Sequence, residues 1–270
     1  MSLPKVNFLG EPTSRMIVGC NPFVGFSYHS LEMDEEMMDY HTANRIAKTL
    51  LHAQHVGYTT TLLLADALTL RMLREYRAMG GEVKWIAQLV EQPLPPVLKQ
   101  KPFAVYVQGG LTDTYIDNGE KQRVIDWIKR LKDSGVRAGM ASHKPENIRM
   151  AEDEGWGAEF YMVSLHRKPD GHVSSAISGE TDSGKGVEFV EGTRPIALET
   201  IRSIDKPCIA YKVFRGGYLA RQTEQMRLEA LKEVYAGIKP GDITVVGMYQ
   251  KYKDQLQENS DAVCNILKNG

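Results

Sequence analysis

Residues 136–166 read VRAGMASHKPENIRMAEDEGWGAEFYMVSLH. An apolar run, Val136–His143, ends in a histidine, and a second apolar run, Phe160–His166, ends in another. Between them Ser142-His143-Lys144-Pro145 opens a helix, with Pro145 near the first helical position, where its missing N–H costs nothing. The stretch therefore reads as strand, helix, strand. Working outward, the same pattern recurs. Short apolar segments that end in a polar or charged residue stand at Arg15–Asn21, Thr59–Asp66, Val83–Glu91, Phe103–Gln108, Pro207–Lys212 and Asp242–Tyr249. The segment Thr59–Leu64 is continuously apolar or Thr-rich rather than alternating, as expected of a parallel strand covered by helices.

The connecting stretches carry helical period. Ile46, Ala47, Leu50 and Ala53 share one face of Tyr40–His55, and Val124, Ile125, Ile128 and Leu131 share one face of Lys121–Lys132. Leu68–Met79, Ala197–Ser203, Gln222–Gly237 and Lys253–Leu267 supply further helices. The third unit is the weakest, because Pro93, Pro95 and Pro96 leave little room for a long helix after Val83–Val90. Eight strand–helix units in about 250 residues are what a (β/α)8 TIM barrel requires. The expected fold is one such barrel domain over residues 1–270. A doubly wound open sheet would also alternate, but no GxGxxG turn follows the first strand. One connection is out of scale: from Arg167 to about Arg194 the chain is rich in Gly, Ser and charge without helical period. On the catalytic face of a barrel such a stretch reads as a lid.

Composition narrows the function. A formal net charge of −1 and the lack of a Lys/Arg block give no reason to expect nucleic acid or a membrane surface as partner. No apolar run reaches the ~18 residues of a membrane span. Cys20, Cys208 and Cys264 are odd in number and far apart, which argues against a disulfide framework and fits a reducing, cytoplasmic setting. The partner left is a small molecule, with the oligomeric state open.

Several motifs resemble the aldo/keto reductase superfamily. Val136–His143 followed by Pro145-Glu146-Asn147 is similar to that family's fifth strand. Lys206-Pro207-Cys208-Ile209-Ala210-Tyr211 with Gly216-Gly217-Tyr218-Leu219 looks like its seventh, and Val246-Gly247 with Gln255 and Glu258-Asn259 like its last unit. Phe8-Leu9-Gly10 and Ile17–Phe23 match its opening hairpin and first strand. The resemblance implies NADP as cofactor, with Ser142 at the nicotinamide and Lys251 and Lys253 at a phosphate. It also implies an Asp-Tyr-Lys-His tetrad, and there the chain departs. The first Tyr after Asp66 is Tyr76, ten residues on, Gln88 and Glu91 stand where the family has Lys, and Gln108 stands where it has His. His143 replaces the Asn of the Ser-Asn pair, and Met162 and Leu165 replace a Gln and a Tyr. A Gln carries no positive charge that could lower the pKa of a proton donor, so the chemistry is expected to use other groups.

The strand ends supply them. Lys212, in the apolar setting Cys208–Phe214, suits a Schiff-base amine, a general base or, alternatively, an ion pair with Glu91 or Asp66. His143 and His166 end neighbouring strands and suit an acid–base pair or two metal ligands. A divalent metal would need a third ligand, for which Glu91, Asp66 or His29 are available, but no metal-binding spacing is present. Asn21, Gln88, Glu91, Gln108, Arg215 and Tyr249 are candidate substrate contacts, and Arg215 suits a carboxylate or phosphate. Tyr106 and Tyr161 read as packing residues, as do Met33, Met37 and Met38, while His41, His52 and His55 belong to the outer or packing face of the first helix. Three functions are compatible with this set. One is a divergent oxidoreductase for a small carbonyl or sugar-like substrate, working without the usual tetrad. Another is a cofactor-free or metal-assisted lyase or isomerase using Lys212 with His143 and His166. The third is a barrel that only binds a ligand.

Overall fold

A computed structural model describes residues 3–90, 93–167, 169, 189–217 and 223–268. Glu91 and most of the stretch read as a lid, residues 168 and 170–188, lie outside them.

The chain begins with an antiparallel hairpin, β1 (Lys5–Phe8) and β2 (Glu11–Ser14). Eight parallel strands then close into a barrel: β3 (Met16–Gly19), β4 (Thr60–Leu64), β5 (Lys84–Leu89), β6 (Ala104–Val107), β7 (Arg137–Ser142), β8 (Phe160–Ser164), β9 (Cys208–Tyr211) and β10 (Ile243–Gly247). They follow chain order around the ring, and β10 pairs with β3 in register Thr244↔Met16 to Gly247↔Gly19. The (β/α)8 barrel expected from the segment spacing is thus present. Strands β3, β6 and β8 are buried at every position, as continuous apolar runs between barrel interior and helical coat should be.

The hairpin closes the amino end of the barrel. Phe8 packs edge-on against Phe160, the first residue of β8, with ring centroids 5.9 Å apart. Glu11 pairs with Lys84, the first residue of β5, at 2.9 Å. Helices cover the outside: α2 (Ala43–Val56), α3 (Ala67–Ala78), α4 (Leu94–Lys99), α5 (Gly109–Asp117), α6 (Lys121–Asp133), α7 (Pro145–Asp153), α8 (Thr193–Ser203), α9 (Glu224–Gly237) and α10 (Gln255–Lys268). The faces read from periodicity are the buried ones, Ile46, Leu50 and Ala53 on α2 and Val124, Ile128 and Leu131 on α6. The proline-rich third unit still forms a helix, α4, but one of only six residues with proline in its first turn. Before α2, a helix α1 (Leu31–Tyr40) lies across the carboxyl end of the barrel, with Met33 and Met37 facing the cavity there. Ser30 caps it by accepting from the Met33 N–H at 3.2 Å. Among the described residues no helix is long and apolar enough to cross a membrane.

Candidate functional site

The strand ends surround a cavity of about 700 Å³ at the carboxyl end of the barrel. Its inner wall is polar, made by Asn21, Gln88, Gln108, His143 and Lys212 with Tyr28, Tyr106 and Tyr211. From there it continues outward over the ends of β9 and β10 to the first turns of α9 and α10. At that outer end Arg227, Lys253, Gln255, Glu258 and Asn259 line it. Two polar ends are therefore joined by an apolar floor that includes Cys20, Val245 and Val246.

The inner wall is held by its own hydrogen bonds. Asn21 donates through Nδ2 to the Tyr28 hydroxyl at 3.3 Å. Tyr106 donates to Gln88 Oε1 at 2.7 Å, and burial pushes its hydroxyl pKa well above the ordinary range, so the phenol stays neutral. Tyr106 lines the cavity, where the sequence suggested packing alone. Tyr161 faces the other way and donates to Glu152 at 2.9 Å. Gln108 caps α5, accepting from the Leu111 N–H at 2.8 Å. At the floor, burial pushes the Cys20 thiol up to about 12, which keeps it from acting as a thiolate nucleophile.

His143 is oriented by a residue that the sequence did not reveal. Its Nδ1 lies 2.8 Å from Asp113 Oδ2, and its backbone N–H donates to the same oxygen at 3.0 Å. Asp113 Oδ1 accepts from the Ser142 hydroxyl and, at 3.1 Å, from Asn147 Nδ2. Burial alone would raise this carboxyl, but the bonds from His143 and Ser142 hold it below the usual carboxylate range. Ser142, the residue matched to nicotinamide binding, also bonds the backbone of Lys144, so its hydroxyl is engaged within the loop.

Lys212 is 9% exposed and lines the cavity. Its Nζ lies 5.4 Å from the centre of the Tyr28 ring and 5.6 Å from that of Phe189, so two aromatic faces stand beside its charge. Among the described residues five non-glycine residues have positive φ, and Tyr28, Lys212 and Arg215 (φ 60°, 59° and 51°) are three of them. Such backbone costs on the order of 1–3 kcal/mol per residue and tends to gather at functional sites.

Other candidates are engaged elsewhere, three of them outside the cavity lining: Asp66, Arg215 and Lys251. Asp66 caps α3, its Oδ1 accepting from the Thr69 N–H at 2.7 Å. Arg215 pairs with Glu191 and stands over the Phe189 ring. Lys251 pairs with Glu36 at 2.9 Å and Lys253, which does line the cavity, with Glu258 at 2.8 Å. Tyr249 also lines it, but its hydroxyl donates to Glu36 at 2.8 Å. The hydroxyls of Tyr252 and Tyr249 and the Lys251 ammonium draw the Glu36 carboxyl down to about 2 and pin α1 across the barrel mouth.

The expected convergence of His143 and His166 is not found. His166 packs against Phe189, at 5.9 Å between ring centroids, and does not line the cavity. Among the described residues its buried Nε2 has no hydrogen-bond partner. Burial, followed by the charges of Arg194, Arg215 and Lys212, lowers its pKa from 6.5 to about 3. A protonated ring here would be desolvated among cations, so His166 is neutral in the fold. The unfolded chain takes up a proton as the pH falls below 6.5 while the folded one does not until about 3, so this site's stability is complete above 6.5 and is lost between those values. His166→Phe should flatten that decline, read as melting temperature against pH; an unchanged pH dependence would show that His166 is not held neutral. Among the described residues no three His, Cys, Asp or Glu side chains are placed to hold a metal ion; Glu91, one of the ligands envisaged, lies outside them.

No protein-family model matches the chain, and no curated protein does. Solved structures do resemble it. A protein assigned as a 2,5-diketo-D-gluconic acid reductase B superposes with a TM-score of 0.56 at 10% identity, over 98% of this chain and 91% of that one. A BexX/CysO complex of Amycolatopsis orientalis gives 0.52 at 14% identity, over 99% and 94%. The dihydropteroate synthase of Yersinia pestis gives 0.50 at 10%, over 98% of each chain. At such identities the likeness is one of fold: this is a TIM barrel, and it shares that barrel with a reductase and with enzymes of other kinds.

Proposed function

We propose that the protein is an oxidoreductase that acts on a small polar carbonyl or sugar-like molecule with a nicotinamide dinucleotide, and without an Asp-Tyr-Lys-His tetrad. The observation that carries this reading is the single cavity with two polar ends. A small substrate needs only the inner end. The outer end is built for something longer and anionic.

Arg227 is the group that fits such a cofactor. It is 7% exposed, donates to Asn259 at 2.8 Å, and its carboxylate neighbour among the described residues, Glu224, stands 3.7 Å away on the surface. A buried guanidinium open to a cavity, beside the amides of Asn259 and Gln255, suits a phosphate. When bound, the nicotinamide would supply or accept the hydride. The chain's own part is to bind the carbonyl compound among Asn21, Gln88 and Gln108, to place the Lys212 charge beside it, and to exchange the proton at the substrate oxygen through His143 or Lys212. The reductase among the structural neighbours agrees in kind with this reading.

A second reading, a cofactor-free proton-transfer enzyme, is favoured by the Asp113–His143 pair, which can move a proton unaided. Fluorescence titration with NADPH and NADH separates the two. Saturable binding below millimolar concentration is expected; its absence for both cofactors overturns the oxidoreductase reading.

A further inference from the structure

We propose that His143 is the residue that exchanges the proton with substrate, through Nε2, and that Asp113 is its positioning residue. The proposal rests on the oxidoreductase reading for the identity of the reaction and on local geometry for the role of each group.

Asp113 lies on α5, away from the strand ends where barrel chemistry is usually sought. Its carboxylate accepts four hydrogen bonds: two from His143, one from Ser142 and one from Asn147. With both oxygens engaged, the carboxylate cannot turn. The imidazole is held in the plane that Oδ2 dictates, and Nδ1 is the nitrogen that carries a proton in both charge states. Nε2 is then the atom that gains and loses one.

The ring is confined on other sides as well. Tyr211 meets it edge-on at 5.6 Å between centroids, and the Tyr211 hydroxyl is tied to the Ser142 carbonyl at 2.9 Å. Gly109 lies against it: a Cβ there would stand 3.3 Å from His143 Cε1 and 3.2 Å from the Tyr211 hydroxyl. The absence of a side chain at position 109 leaves the imidazole its place in the cavity wall. Lys212 is built differently. Its ammonium stands beside two aromatic faces, a setting that suits an anchor for the substrate.

The step balances simply. In reduction the carbonyl carbon receives a hydride from reduced nicotinamide, the C=O π bond breaks, and its oxygen takes the proton from Nε2–H of the imidazolium. The products are the alcohol, oxidised nicotinamide and an imidazole neutral at Nε2, which regains its proton from solvent. Oxidation of the alcohol runs the same transfers in reverse.

The test combines a spectroscopic signature with kinetics. In protein labelled with 15N-histidine, His143 is assigned by the signal missing from His143→Gln. Its ring is expected as the Nδ1–H tautomer at pH 8, moving toward Nε2–H in Asp113→Asn. With D-glyceraldehyde and NADPH as probes, Asp113→Asn and His143→Gln are expected to lower kcat about 100-fold or more while KM for NADPH stays within about twofold. An Nε2–H tautomer in the unmodified protein overturns the proposal, and so does an unchanged kcat in Asp113→Asn. The tautomer of the unmodified protein decides the matter even if Asp113→Asn does not fold. NADPH that fails to bind while the Nδ1–H tautomer is present counts against the oxidoreductase reading alone.

Discussion

Arg227→Met should weaken NADPH binding by about 2–3 kcal/mol, roughly 30- to 150-fold in Kd, because the bound phosphate loses a buried charged partner. The methionine keeps the length and apolar stem of the arginine, so the change isolates the guanidinium. Two features make the loss large. Arg227 is buried beside Asn259 at the outer end of the cavity, where water screens its charge poorly. Its carboxylate neighbour among the described residues, on Glu224, is 3.7 Å away with a side chain 78% exposed, so it competes weakly with a phosphate. Arg227→Lys should fall between the two proteins, since an ammonium offers a point charge and no planar fork. The measurement is NADPH fluorescence titration at fixed ionic strength. Equal Kd values for Arg227 and Met at this position would mean that the outer end does not hold the phosphate.

Gly139→Ala should destabilise the barrel by about 1–3 kcal/mol, with a fall of roughly 2–5 °C in Tm. Gly139 lies in β7 directly opposite Phe160 of β8. A Cβ added there would stand 2.3 Å from Phe160 Cζ and within 2.6 Å of two neighbouring ring carbons. The ring has no room to retreat, because Phe160 is fully buried and packs against Phe8 of the closing hairpin. The glycine and the phenylalanine thus fill one space between them. Phe160→Leu alone should also destabilise, by opening a cavity, but in Gly139→Ala/Phe160→Leu the two changes should partly compensate. A double-mutant cycle by thermal or denaturant unfolding reads the coupling. Simple additivity would show that the two positions do not share that space.

The architecture was legible because the barrel imposes two periods on the chain at once. Strands buried on both faces must be continuously apolar, and their covering helices must carry one apolar stripe, so segments such as Phe160–Ser164 and Lys121–Asp133 are read correctly from residue types alone. The helix α5 was hidden for a local reason. It opens with Gly109-Gly110, a pair that reads as a turn, yet Gly109 is there to spare the His143 ring and α5 takes its cap from the Gln108 side chain. Missing that helix meant missing Asp113. Gln108 itself is that cap: its Oε1 is part of the helix start. Asp66 has a related structural part, since a carboxylate at a strand end is also the natural N-cap of the helix that follows. Arg227 gave no signal at all. One arginine on the first turn of an amphipathic helix looks solvated until the neighbouring helix brings Asn259 beside it.

The most direct test of the two-ended cavity is the electron density of crystals grown with millimolar NADPH. The nicotinamide ring is expected at the inner end, beside His143, Gln88 and Lys212, with a phosphate at Arg227 and Asn259. Cofactor density lying elsewhere, or a cavity that stays empty at saturating NADPH, would contradict it.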